Sequence, residues 1–302
     1  MNEQYLWISA VVAVVAAARS LWSPCGLSML TSITPFGERS RGHRYPLTAA
    51  WFVAGALLGG AVLGAVCAGG AFLIGLLPPG SGAGLIMVAA VVAVVCLVSD
   101  LRIGGLRLPV HPRQVDETWL RRYRRWVYAA GFGVQIGSGF ATYIMTGAVY
   151  LTAVTAVLSG SPVAALLLGL LFGLVRGVAV LLGALATSPD RLRRLLSRIE
   201  RLSPVSVAVA VGVQAWAAVA LGGLAAGTSV LLLAVPVGVV AGAVCLFAQY
   251  RAAGPVAANG GLVVAPATPA GAPAIPAGGI VGIAGATVGT VPARSAAGAV
   301  SS

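Results

Sequence analysis

Apolar residues run in long blocks along this 302-residue chain, and polar residues collect in the gaps between them. Seven blocks read as helical membrane spans: 5–35, 47–77, 84–98, 127–158, 162–187, 205–225 and 229–250. A helix needs about 20 residues to cross a hydrocarbon core roughly 30 Å thick, so the third block is expected to extend toward Leu101. The first and fourth blocks are longer than one crossing requires, and each is interrupted near its middle. "SPCG" breaks the first at Ser23 to Gly26, and "GSGFAT" breaks the fourth at Gly137 to Thr142. Proline removes a backbone donor and glycine loosens the chain, so both points are expected to break a helix and to turn freed polar groups toward a cavity. The first block is not expected to be a removable signal peptide, because Glu3 precedes it and no basic residue does.

Two gaps carry amphipathic helices of their own. In "DRLRRLLSRIERL" the residues Leu192, Leu195, Leu196, Ile199 and Leu202 fall at helical spacing, with arginines on the remaining face. In "ETWLRRYRRW" the rings of Trp119, Tyr123 and Trp126 form one stripe. Both patterns suit a helix lying on a membrane surface, with docking of a soluble partner as the alternative use.

Composition fixes the solvent. The chain is 59% hydrophobic and 9% charged, with a mean hydropathy of +0.97, outside the range of soluble globular domains. The net charge is +12, and every basic residue except the two histidines is an arginine. These arginines flank the spans, where orientation and anionic lipid account for them, and this placement argues against nucleic-acid binding. They also give a consistent orientation. The gaps holding Arg39, Arg41 and Arg44, then Arg102 to Arg125, then Arg191 to Arg201, and finally Arg251, are basic, whereas the intervening gaps are uncharged. All basic gaps therefore fall on one side, which predicts an outside N-terminus and a cytoplasmic C-terminus in the cell membrane.

The predicted fold class is an all-α polytopic membrane protein built from two inverted three-helix repeats with broken first helices. The repeats are 1–101 and 127–226, joined by a basic cytoplasmic loop at 102–126, with the amphipathic segment 188–204 inside the second. A seventh span at 227–251 follows. The tail 252–302 is rich in alanine, glycine and proline and carries one charge, Arg294, so disorder is expected there.

Discontinuous helices at matching places in two halves point to a functional site. Candidate residues gather there. Arg19 and Arg176 are charges inside spans and are functional candidates by default, with no acidic residue inside a predicted span to pair with them. Cys25 sits between a proline and a glycine. Ser28, Thr31, Gln135, Ser138, Thr142, Thr146 and Gln214 are smaller polar groups that could line the same path or bridge helices. The small-residue spacings Gly55, Gly59, Gly60, Gly64 and Gly169, Gly173, Gly177 are read as close helix packing. His43 and His111 lie in separate loops, and no cysteine–histidine cluster has metal-ligand spacing, so neither a metal nor another cofactor is expected.

The chain resembles the transmembrane domains of the thiol-disulfide interchange and cytochrome c biogenesis proteins of the CcdA and DsbD type. The resemblance rests on "SPCG", on "GFGVQIGSG" at 131–139 and on "GSPVAALLLGLLFGLVRG" at 160–177, and it covers the first six spans. It implies that electrons pass from cytoplasmic thioredoxin across the membrane by way of one cysteine from each repeat. Cys25, with Ser23, Pro24 and Gly26 around it, corresponds to the first reactive cysteine. At the place of the second stand Ser138, Gly139 and Thr142, and no cysteine occurs between Cys96 and Cys245. The prolines usual after the first cysteine are also replaced, with Ser28 and Thr31 near their positions. Cys67, Cys96 and Cys245 read as small apolar filler. Three functions stay open. They are thiol-disulfide exchange through Cys25 with a thioredoxin-like partner, transport of a small anionic solute through the same site, and a non-catalytic scaffold in the lipid bilayer.

Overall fold

A computed structural model of the chain describes residues 3–78, 80–105, 108, 122–139, 146–228 and 230–253. The expected disordered tail lies almost wholly outside the described residues, as do Thr142 and the first half of the "ETWLRRYRRW" segment, including Trp119. Among the described residues every regular element is helical: α1 (Glu3–Arg19), α2 (Pro24–Ser32), α3 (Pro35–Ser40), α4 (Tyr45–Gly75), α5 (Gly82–Asp100), α6 (Arg125–Ser138), α7 (Gly147–Leu158), α8 (Pro162–Val178), α9 (Pro189–Arg201), α10 (Ser203–Ala225) and α11 (Val235–Ala253). Short 3-10 turns at Ser20–Trp22 and Ala179–Leu185 extend α1 and α8.

Five of these segments are long and apolar enough to cross a membrane: Glu3–Trp22, Tyr45–Gly75, Gly82–Asp100, Pro162–Leu185 and Ser203–Ala225. The expected fourth span is instead two helices, α6 and α7, and α7 with its 12 residues is shorter than a full crossing. The expected seventh span is a shorter apolar helix, Val235–Arg251.

Size sorting across the helix faces is the reverse of that in a soluble protein. On α4 the buried positions include Gly55, Ala56, Gly59, Gly60 and Gly64, while Leu58, Val62, Val66 and Leu73 are each more than half exposed. Water would expel such a surface, whereas lipid accepts it and leaves small residues to mediate helix contact. The chain is therefore a multi-pass membrane protein.

α4 is the central helix and packs most extensively on α8 and α6. The approach is backbone to backbone: a Cβ on Gly137 would overlap the Ala56 carbonyl, and one on Gly60 would overlap that of Gly169. α1 packs on α7, α8 and α10, α5 on α7 and α10, and α10 carries α11. An apolar groove of about 480 Å³, bounded by Val11, Val209, Trp216 and Val239, lies where α1, α10 and α11 meet.

Candidate functional site

The "SPCG" element is a helix start. Ser23 has extended backbone (φ −69°, ψ 154°), and its side chain accepts from the Gly26 N–H at 3.1 Å, so it caps α2. Pro24 takes the first helical position, where its missing N–H removes nothing. Cys25 follows in the first turn, and Gly26 is required because a Cβ there would overlap the Leu21 carbonyl oxygen. The Cys25 thiol is 1% exposed and sits in a cluster with Met29, Leu30, Phe52, Tyr128, Phe132 and Ile199.

Arg176 comes to this point from α8. It is 4% exposed, its guanidinium carbon lies 5.6 Å above the Phe172 ring, and it is within electrostatic reach of Cys25. One helical turn earlier, Phe172 lies against Gly139, which ends α6 with φ +71°. A side chain at Gly139 would strain that backbone and press on the Phe172 ring. α8 thus touches both interruptions, one through Arg176 and the other through Phe172.

The second interruption is organised differently from the sequence expectation. Of Ser138 to Thr142, which stand at the place of the family's second cysteine, Ser138 donates its hydroxyl to Gln135 O at 2.9 Å within α6 and 140–142 lie outside the described residues. The next helix starts at Gly147, capped by Thr146, whose hydroxyl oxygen accepts from the Ala148 N–H at 3.3 Å. Asp100 closes this helix start. Its carboxylate accepts from the Gly147 N–H at 2.7 Å, the Thr146 hydroxyl at 2.5 Å and the Gln214 amide at 2.7 Å. Arg19 interacts electrostatically with Asp100 and lies 5.9 Å above the Trp22 ring, while its Nη1 is buried without a hydrogen bond. Arg19 therefore has an acidic neighbour, contrary to the sequence expectation, because α5 extends through Asp100, as the short third block was expected to, and brings that half-buried carboxylate to the start of α7.

A second carboxylate went unsuspected. Glu38, 0% exposed at the end of the first interrupted segment, accepts from Arg41 Nη1 at 2.8 Å and the Thr48 hydroxyl at 2.6 Å. The Tyr128 hydroxyl, 2.9 and 3.0 Å from its two oxygens, also donates to it, and His43 Nδ1 lies 3.6 Å away. The group joins α3, α4 and α6 beside the Cys25 cluster, which shares Tyr128. Its sequence signal is Thr34 followed by Pro35, a capped helix start that sets Glu38 in a first turn.

The remaining cysteines are not brought to Cys25. None of the four forms a disulfide, and Cys67 and Cys96 belong to two other buried clusters. Ser28 and Thr31 stay on α2, the latter exposed with its hydroxyl donated to Ser28 O at 2.8 Å. Among the described residues no group of three or more histidine, cysteine or carboxylate side chains could hold a metal.

These features define a class: a multi-pass helical membrane protein with two interrupted helices meeting one buried arginine-bearing helix. The chain is 30% identical to methylamine utilization protein MauF of Paracoccus denitrificans over 201 residues, covering 65% of this chain and 71% of that protein. It is 27% identical to MauF of Paracoccus versutus, over 66% of this chain and 73% of that one, and 30% identical to MauF of Methylorubrum extorquens, over 62% and 66%. The chain belongs to the MauF family. No family model and no solved structure matches it.

Proposed function

We propose that the protein serves methylamine utilization, the process in its relatives' name, as a membrane thiol-disulfide exchange protein acting through Cys25. The observation that carries this reading is the position of Cys25 in the first turn of the capped helix α2, with Arg176 of α8 within electrostatic reach. A helix N-terminus presents unpaired amides that attract an anionic group, so a nucleophilic side chain is well placed there.

The exchange balances with one cysteine. The Cys25 thiolate attacks one sulfur of a partner's disulfide, a Cys25–partner S–S bond forms, and the partner's other sulfur leaves as thiolate. One thiolate of a donor dithiol then attacks the partner sulfur of that bond and releases Cys25 as thiolate, and the donor's second thiolate attacks the donor sulfur of the resulting mixed disulfide, closing the donor disulfide and freeing the partner's second thiolate. The partner disulfide is reduced by one electron pair in all, and a donor dithiol is oxidised. A second cysteine in this chain is unnecessary for such a cycle.

The CcdA and DsbD resemblance and an inverted-repeat architecture fit this reading. Each interrupted helix packs on the middle helix of the other triplet, α1 on α8 and α6 on α4, and α4 and α8 pack on each other. In this arrangement the N-terminus lies outside, the C-terminus lies in the cytoplasm, and Cys25 is reached from the basic, cytoplasmic side.

The test is acid-trapped thiol labelling of Cys25 in cells, with Cys67, Cys96 and Cys245 replaced by alanine. Exchange predicts a partner-sized adduct whose abundance follows the cell's reducing poise, and weakened by roughly tenfold in Arg176→Met. A Cys25 that stays reduced and adduct-free in every condition sinks the reading. The assignment would then pass to anion transport, which the buried Nη1 of Arg19 favours.

A further inference from the structure

We infer that the arginine face of α9 is a docking surface for a soluble thiol-disulfide protein with an acidic surface beside its reactive cysteine. This rests on the exchange reading of Cys25.

α9 is tied to the Cys25 site itself. Ile199 is buried in the Cys25 cluster with Leu195 packed against it, and the Trp22 indole N–H donates to Ile199 O at 2.7 Å. Trp22 belongs to the turn just before the Ser23 cap, so this bond fixes the helix within a few residues of the thiol. The central part of the apolar stripe is thereby spent on protein contact, although its pattern suggested immersion in lipid.

The opposite face carries exposed Arg191, Arg194, Arg198 and Arg201. Counting Arg193 against Asp190 and Glu200 leaves α9 at +3. Of these five arginines, all among the described residues, only Arg193 has a carboxylate within 4 Å, at 3.9 Å from Asp190 with both side chains over 70% exposed. Arg39 and Arg44 at the α3–α4 junction are exposed as well, and Glu38 of that junction bonds Tyr128 of the same cluster.

A thiol only 1% exposed exchanges with another protein only if that protein is held while the site opens. Positive charge beside the opening holds an acidic surface and speeds encounter. Lipid headgroups complement the same charge, yet they bring no thiol to Cys25, and Ile199 at the centre of the stripe is already buried against protein.

The experiment uses the full chain in phosphatidylcholine nanodiscs, with Cys25 as its one cysteine. The rate of Cys25 modification by neutral methyl methanethiosulfonate is measured with and without polyglutamate. Docking predicts that polyglutamate slows modification about tenfold. The protection is lost in R191Q/R194Q/R198Q, kept in R191K/R194K/R198K, and kept in discs containing phosphatidylglycerol. Absence of protection overturns the proposal, as does protection equal in the wild-type and glutamine proteins. Protection abolished by phosphatidylglycerol assigns the arginines to lipid and also overturns it. Failure of Cys25 to react with the neutral reagent under any condition removes the exchange reading instead, a result distinguishable from loss of protection alone.

Discussion

The two interruptions begin their second helices alike and are completed in opposite ways. α2 starts with Ser23 as cap, Pro24 and Cys25, and α7 starts with Thr146 as cap, Gly147 and Ala148. At α7 the positive end of the helix is filled from within the protein by the Asp100 carboxylate, which takes three donors and has Arg19 near it. At α2 the Gly26 N–H is taken by the Ser23 hydroxyl oxygen of the cap itself. The helix start carries a thiol instead, and the arginine from α8 adds a second positive group. A helix start closed by a fixed anion is a structural joint. One that offers positive potential to a sulfur is suited to chemistry, because its anion can form and disappear. On this comparison the α7 start is the fixed joint, and the α2 start is the one at which the proposed exchange would take place.

The largest expected effect comes from opening the closed joint. Asp100→Ala leaves the Thr146 hydroxyl, the Gly147 N–H and the Gln214 amide without their acceptor and Arg19 without its counter-charge. Each buried donor left unsatisfied costs about 1–3 kcal/mol. The unfolding midpoint in detergent should fall sharply and the yield of monodisperse protein with it. Adding Arg19→Met should recover more than about 1 kcal/mol relative to the sum of the single changes, as coupled groups do. Strict additivity would break the comparison, because Arg19 and Asp100 would then not form one unit.

Thr146→Val is a milder version of the same question. Valine keeps the shape but removes the donor to Asp100 and the cap on Ala148. Loss of one hydrogen bond to a charged group costs roughly 1.5–3 kcal/mol. Differential unfolding should show that loss, while Cys25 labelling stays at the wild-type rate. A large change in labelling would instead mean that the rigid joint controls the reactive one.

What the sequence disclosed follows from which interactions are local. The spans, the amphipathic α9 and the α2 start were legible because hydropathy, period and the Ser23 to Gly26 order act over a few residues. Gly139 was legible as a break for the same reason, since it ends α6 with positive φ. The start of α7 was missed by several residues, because its signal is a carboxylate 47 positions away in sequence. Asp100, at the end of α5, and Glu38, beside Arg39 in a basic stretch, carry no local pattern that marks them as interior groups. Both are buried or half-buried because several donors converge on them from other helices. The meeting of Arg176 with Cys25 depends on how α8 packs, and the spacing of residues along the chain carries no trace of it.

The smallest expected effect tests the reactive member directly. Ser23→Ala removes the acceptor that holds the Gly26 N–H at 3.1 Å, a loss of about 1 kcal/mol for a typical cap. Most of the bundle does not depend on this bond, so the global unfolding midpoint should barely move. The local opening of α2 should become easier by the same amount, which corresponds to roughly fivefold in an opening equilibrium. Since Cys25 lies in the first turn that the cap secures and is 1% exposed, its modification by a small neutral reagent should accelerate by that factor. An unchanged rate would show that Cys25 is reached without loosening of the α2 start. The difference between the two capped helices would then concern stability alone.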